Sequence, residues 1–212
     1  KYAASISCFE EFLQEVDSDN KSIMQDAEYY VAINSYALKQ SRAQLLLEDY
    51  IKRNPYSPYR SRVCFMLGRI RYENEKYKHA LTRYDEVKEK DLILQERLEF
   101  LYTKAYSLLE MKKYAEAKKI FNSLSNEKNE YSNVATYYSA YIDYLQKNNK
   151  SALNGFLKIE ETEEYKDIVP YYIVQIYYEE NEYKKSLEHG KKMLESNPNN
   201  KNNSEVYRIM GE

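Results

Sequence analysis

Apolar and small residues recur along the chain at offsets that put them on one face of a helix, and the same short pattern returns again and again. Tyr77, Ala80, Tyr84 and Val87 form one copy; Tyr114, Ala117, Phe121 and Leu124 form a second; Tyr183, Ser186, Gly190 and Met193 form a third. With the first slot relaxed, Asn149, Ala152, Phe156 and Ile159 and then Gln40, Ala43, Leu47 and Tyr50 join them, and Tyr2, Ser5, Phe9 and Phe12 open the chain. The small residue of each copy (Ser5, Ala43, Ala80, Ala117, Ala152, Ser186) returns every 34 to 38 residues. Offsets of three and four are the signature of a helix that buries one stripe, so each copy predicts a helix, and the period predicts a repeat.

A second helical pattern precedes each copy, at Val63 to Tyr72, Leu98 to Leu109, Ala135 to Leu145 and Val169 to Tyr178. Short polar joints separate the two, such as Glu73-Asn74-Glu75-Lys76 and Glu179-Glu180-Asn181-Glu182. The unit is therefore two antiparallel helices. Proline falls between units at Pro55, Pro58 and Pro198, where a helix has to stop, and Pro170 falls where a first helix begins, which proline tolerates. A small residue also recurs late in the first helix (Ala32, Gly68, Ala105, Ala140), twelve residues before its second-helix counterpart in three units and eleven in the first. Two narrow positions facing each other would let the helices approach, and the inter-helix turn of the first unit should be one residue shorter. A glycine inside a helix costs about 1 kcal/mol against alanine, so Gly68 implies a packing reason.

This pattern resembles the tetratricopeptide repeat, on Cys64-x-x-Leu67-Gly68 followed by Ala80-x-x-x-Tyr84, with Pro55 and Pro198 in the unit-closing slot. The resemblance covers the whole chain and implies an all-α, right-handed α-solenoid of antiparallel helix pairs. Five full pairs are expected at 22–54, 58–90, 94–126, 131–162 and 165–196. A lone second helix at 1–16 and the start of a first helix at 204–212 flank them, so the chain reads as one solenoid, 1–212, excised from a longer array. The chain departs from the family where the usual early Trp is missing, where Arg71 replaces the usual Tyr, and where Gly190 replaces a large aromatic. The stretch from Asn54 to Tyr59 followed by Phe65-Met66-Leu67-Gly68 is similar to tetratricopeptide proteins of the bacterial cell envelope, including outer-membrane assembly lipoproteins. That likeness implies a bacterial periplasmic or envelope location, with the cytoplasm as the alternative.

Composition removes other classes. In 212 residues, 43% apolar and 31% charged, there are 25 Tyr but only 4 Gly, 4 Pro and 2 Cys, which fits neither a disulfide scaffold nor a disordered linker. A net charge of −2 disfavours nucleic acid. The longest apolar run, Ile168 to Val174, is far short of the roughly 18 residues of a spanning helix. Phosphate-cradling glycine loops, nucleophile elbows and zinc-helix motifs are absent, so no catalytic residue, metal or cofactor is predicted. His79 and His189 lie about three units apart and read as structural or surface residues. Cys8 and Cys64, each beside apolar residues, read as buried packing positions. Asp17-Ser18-Asp19-Asn20 lacks the Gly and distal Glu of a calcium loop.

The tyrosines exceed what packing slots require. In tetratricopeptide arrays the first helices line the concave face. Alignment on Ala32, Gly68, Ala105, Ala140 and Val174 brings Tyr29, Phe65, Tyr102, Tyr137 and Tyr171 into one slot. Ile33, Arg69, Tyr106, Tyr141 and Gln175 share a second, and Tyr36, Tyr72, Leu109, Tyr144 and Tyr178 a third. Tyr offers a large ring with a polar tip at low entropic cost, which suits recognition. The resemblance thus implies a non-catalytic scaffold whose Tyr-lined groove takes an extended or helical segment of a protein partner. The chaperone-gripping variant of the family needs Lys and Asn where this chain has Tyr. The alternatives are a spacer or adaptor for an activity elsewhere in a longer protein, a helical-repeat RNA binder, and self-association through uncapped ends.

Overall fold

The computed structural model of the chain describes residues 1–16 and 20–211. Asp17 to Asp19, in the stretch compared above with a calcium loop, lie outside the described residues. Among the described residues all regular structure is helical: α1 (Tyr2–Glu15), α2 (Lys21–Ala37), α3 (Ala43–Arg53), α4 (Arg60–Glu73), α5 (Tyr77–Tyr84), a 3-10 turn (Glu89–Asp91), α6 (Leu94–Glu110), α7 (Tyr114–Ser125), α8 (Ser132–Leu145), α9 (Asn149–Phe156), α10 (Val169–Glu179), α11 (Tyr183–Ser196) and α12 (Asn203–Gly211). The fold is the all-α helix-pair repeat that the sequence implies.

Two compact units divide the chain, Lys1–Lys112 and Lys113–Glu212. In the first, α1 packs on α2, and the pairs α2/α3 and α4/α5 lead to α6. In the second, α7 packs on α8, and the pairs α8/α9 and α10/α11 lead to α12.

Each first helix ends the same way. Lys39, Glu75, Lys112, Lys147 and Asn181 all have φ of 52–60° and all stand seven residues after the aligned position of their helix, Ala32, Gly68, Ala105, Ala140 or Val174. The next amide then reaches back into the last turn, with Gln40 N–H to the Ser35 carbonyl at 3.0 Å, Lys76 to Arg71 at 2.9 Å, Asn148 to Asp143 at 2.8 Å and Glu182 to Tyr177 at 2.8 Å. This is the left-handed cap that satisfies orphan carbonyls and turns the chain around. No glycine occupies it, although a left-handed L-residue is strained by roughly 1–2 kcal/mol and glycine forfeits about 0.5–1 kcal/mol of backbone entropy. Lys112→Gly is therefore expected to raise stability by about 0.5–1 kcal/mol and Lys112→Val to lower it, read as opposite shifts of the urea midpoint.

The first unit differs from the expected shorter turn. The cap at Lys39 keeps its place, but Ala43 follows it one residue too soon, and α3 begins only at Ala43 while α5, α7, α9 and α11 begin three residues ahead of their small residue. The deleted residue removes the first turn of α3, so the connection, 38–42, is longer than the three-residue turns of the other pairs. At the other end, α5 and α9 stop at their aromatics, Tyr84 and Phe156. Val87 and Ile159 are instead carried inward by tight i→i−3 turns, Val87 N–H to Tyr84 O at 3.1 Å and Ile159 N–H to Phe156 O at 3.0 Å.

The aromatic slots of the second helices form the cores. Leu47, Tyr50, Tyr84, Phe121 and Phe156 are each no more than 1% exposed. In the first unit Leu47, Tyr50 and Ile51 pack with Tyr29, Val63, Cys64 and Leu67; in the second, Phe156 and Ile159 pack with Val169, Ile173 and Ile176. Gly68 makes room for an aromatic ring: a Cβ there would lie 2.3 Å from Tyr84 Cε1. Gly190, in the slot where its counterparts are large, is covered by α12, whose Met210 Sδ would meet a Cβ at 3.0 Å and Val206 Cγ1 at 3.3 Å. Ser186 donates to the Val174 carbonyl at 3.0 Å, so its buried hydroxyl is satisfied.

One packing expectation fails. Cys64 is buried, and burial pushes its thiol up to about 11, but Cys8 is exposed. The inner stripe of α1 runs through Ser5, which accepts from Asn34 Nδ2 at 3.0 Å, and Phe9, which stacks on Tyr30 at 5.2 Å. Cys8 lies one helical step off that stripe.

Candidate recognition surface

Two tyrosine-rich surfaces are built on first helices, one in each unit. In the first unit Tyr36 of α2 faces Arg69 of α4, whose Nε lies 3.1 Å from Glu73 Oε1 and 2.9 Å from Glu99 Oε1 of α6. Burial drives the Tyr36 phenol up to about 12, partly offset by the Arg69 guanidinium. Further along, the ring of Tyr72 meets those of Tyr77 and Tyr106 edge to face, with centroids 6.0 Å and 5.7 Å away, and Tyr77 and Tyr106 lie tilted to each other at 5.9 Å. Tyr102 joins at 6.4 Å from Tyr106. The Tyr106 phenol is also pushed up to about 12, by burial first and then by the Glu110 carboxylate.

In the second unit a hydrogen-bond chain ties α8 to α10. Tyr144 donates to Gln175 Oε1 at 2.9 Å, and Gln175 Nε2 donates to the Tyr171 hydroxyl at 2.8 Å. Lys147 places its ammonium 5.6 Å from the centre of the Tyr144 ring and 2.9 Å from Glu179 Oε1. Burial raises the Tyr144 phenol to about 12. Tyr178 meets Tyr183 at 5.8 Å.

Two of the three slots aligned from the sequence thus meet across neighbouring first helices by one rule. The residue four past the aligned position of one helix touches the residue one past the aligned position of the next: Tyr36 with Arg69, Tyr72 with Tyr106, Tyr144 with Gln175. Tyr36, Arg69, Tyr72, Tyr102, Tyr106, Tyr137, Tyr141, Tyr144, Tyr171, Gln175 and Tyr178 are all half-buried, each with part of its side chain at the surface.

Three of the aligned residues, Tyr29, Phe65 and Leu109, lie inside. Tyr29 is 1% exposed, stacked on Tyr59 at 3.9 Å and accepting from Arg62 Nη1 at 3.0 Å; Phe65 is 3% exposed and edge-on to Phe100 at 6.2 Å. Tyr137 carries a mixed load. It stacks on Tyr165 at 4.9 Å and touches Phe156 at 6.1 Å, so it closes the core as well as reaching the surface.

Sequence alignment passed over Tyr77, Tyr165 and Tyr172. Tyr172 stacks on Phe156 at 5.1 Å and shows its edge to Tyr137, Tyr141 and Tyr144. The signal for Tyr77 was present: Tyr72 and Tyr77 across one turn have the same spacing as Tyr178 and Tyr183 across another.

Among the described residues no group of three or more His, Cys, Asp or Glu is placed to hold a metal, and no helix is long and apolar enough to cross a membrane. His79 is exposed, and the half-buried His189 packs against the Tyr177 ring at 5.2 Å. What these surfaces offer is ring faces, held in place by their neighbours, with hydroxyl, amide and carboxylate groups at their edges.

No protein-family model matches the chain, and no curated protein matches it in sequence. Its fold does match solved structures. A tetratricopeptide repeat protein from Parabacteroides merdae superposes with a TM-score of 0.62 at 17% identity, over 99% of this chain and 73% of that one. Pseudomonas aeruginosa pilF gives 0.61 at 16% identity, over 98% and 96%. A double mutant of MamA RS-1 gives 0.58 at 14% identity, over 90% and 93%. The chain has the tetratricopeptide fold.

Proposed function

We propose that this chain is a non-catalytic interaction scaffold that takes a peptide segment of a protein partner on the tyrosine-lined first-helix surface of its units. The observation that carries this reading is the state of the rings. Tyr36, Tyr72, Tyr106 and Tyr144 are locked by neighbours on the adjacent helix yet keep part of their surface in water. Held rings lose little entropy when a ligand stacks on them, which is the economy that concentrates Tyr in binding sites. Selection of a random displayed-peptide library on the intact chain tests the reading. Enriched peptides are expected to lose at least tenfold in affinity for the Tyr106→Ser, Tyr144→Ser double variant at unchanged helix content. Equal binding to both proteins, or no enrichment, would leave the chain a spacer for an activity located elsewhere.

A bacterial cell-envelope location is proposed on the Asn54 to Tyr59 and Phe65 to Gly68 resemblance, and fractionation of the source cells tests it. A chain found wholly in the cytosolic fraction would contradict it.

A further inference from the structure

One triplet of the first unit departs from its counterparts at a single position, and the difference defines a ligand. In the second unit Tyr144 stands four residues past the aligned position of its first helix, Lys147 seven past it, and Glu179 five past the aligned position of the next first helix. There the chain fills its own site: the Lys147 ammonium sits over the Tyr144 ring at 5.6 Å and pairs with Glu179 at 2.9 Å. The first unit has two equivalent triplets: Tyr36, Lys39 and Glu73, which keep the lysine, and Tyr72, Glu75 and Glu110, which do not. In the latter the ring and the distal carboxylate are kept, but the cation is replaced by a second carboxylate on the same left-handed cap. Tyr77 and Tyr106 add two more rings around Tyr72, and both carboxylates act electrostatically on the Tyr77 phenol. Glu75 and Glu110 are exposed, so neither is needed to hold the core.

Aromatic faces backed by carboxylates attract a desolvated cation. We infer that the Tyr72–Tyr77–Tyr106 cluster, with Glu75 and Glu110, takes a lysine or arginine side chain of the bound peptide, in the role that Lys147 fills from within the second unit. This inference rests on the proposed peptide-binding reading. It also gives that reading a charge preference opposite to the Lys- and Asn-based grip on acidic peptide ends.

Three fluorescein-labelled peptides of equal length and equal apolar content, carrying Arg, Gln or Glu at alternate positions, separate the possibilities by fluorescence anisotropy. The Arg peptide is expected to bind at least roughly tenfold more tightly than the Gln peptide, with the advantage shrinking as salt rises. Glu75→Lys, which gives this triplet the lysine that its counterparts already have, is expected to remove that advantage while leaving the far-UV helix signal intact. Glu110→Gln is expected to reduce it by several-fold. If the Gln or Glu peptide binds as well as the Arg peptide, or if Glu75→Lys binds Arg peptide like the parent, the cation site is wrong while the docking surface stands. If none of the three binds, the peptide-binding reading fails with it.

Discussion

Tyr84→Ala is expected to lower the unfolding free energy by about 3–5 kcal/mol, and in that background Gly68→Ala, itself damaging in the parent chain, is expected to become favourable. The Tyr84 ring has no exposed surface, and it lies edge-on to Phe100 at 5.4 Å. Its other side rests on the bare Cα of Gly68, where a methyl group would come within 2.3 Å of Cε1 and 2.5 Å of Cδ1. A ring enclosed in this way cannot swing aside, so the methyl is overpacked at about 1–3 kcal/mol. That exceeds the roughly 1 kcal/mol that alanine brings to a helix interior in place of glycine. Removing the ring removes the clash and leaves only the helical gain. Urea unfolding of the four proteins, followed by circular dichroism, gives the cycle. A Gly68→Ala change that is equally harmful with and without Tyr84 would show that the glycine serves some other need.

The second large effect is alkaline unfolding. Burial raises the phenols of Tyr36, Tyr106 and Tyr144 to about 12, and raises those of Tyr72, Tyr84 and Tyr137 as well. In the unfolded chain these groups ionise near pH 10. The folded state therefore holds more protons than the unfolded state from about pH 10 to about pH 12, and its stability falls across that window while remaining unaffected below it. Helix content should stay level to about pH 10 and then collapse cooperatively, with a burst of phenolate absorbance that coincides with the loss of helix. Smooth ionisation of all the tyrosines near pH 10 with the helices intact would mean that the rings are wetter than their packing indicates.

Much of this fold was legible in the sequence because it is written in local terms. The helix pairs follow from three- and four-residue offsets, and the structure adds to them left-handed caps seven residues past Ala32, Gly68, Ala105, Ala140 and Val174. What was not legible depends on neighbours distant in sequence. Tyr29 and Tyr102 share a slot, yet Tyr29 is covered by Tyr59 from the following segment while Tyr102 stays half-buried. Cys8 has apolar neighbours in sequence but points away from the face that meets α2. The early ends of α5 and α9 arise because the chain tightens after Tyr84 and Phe156 to bring Val87 and Ile159 inward, which no periodicity encodes. The surface itself was readable as a set of tyrosines. Its charge character was not, because Glu75 and Glu110 are brought to bear on one ring, Tyr77, only when α4, its cap, α5 and α6 are assembled.

The most direct test of the account is a chemical-shift map of the isotope-labelled chain titrated with a peptide recovered by selection. The expected result is perturbation concentrated at Tyr36, Tyr72, Tyr77, Tyr106, Tyr144 and Tyr178, with the buried second-helix positions Tyr84, Phe121 and Phe156 unmoved. Perturbations gathered on the second helices, away from these tyrosines, would contradict it.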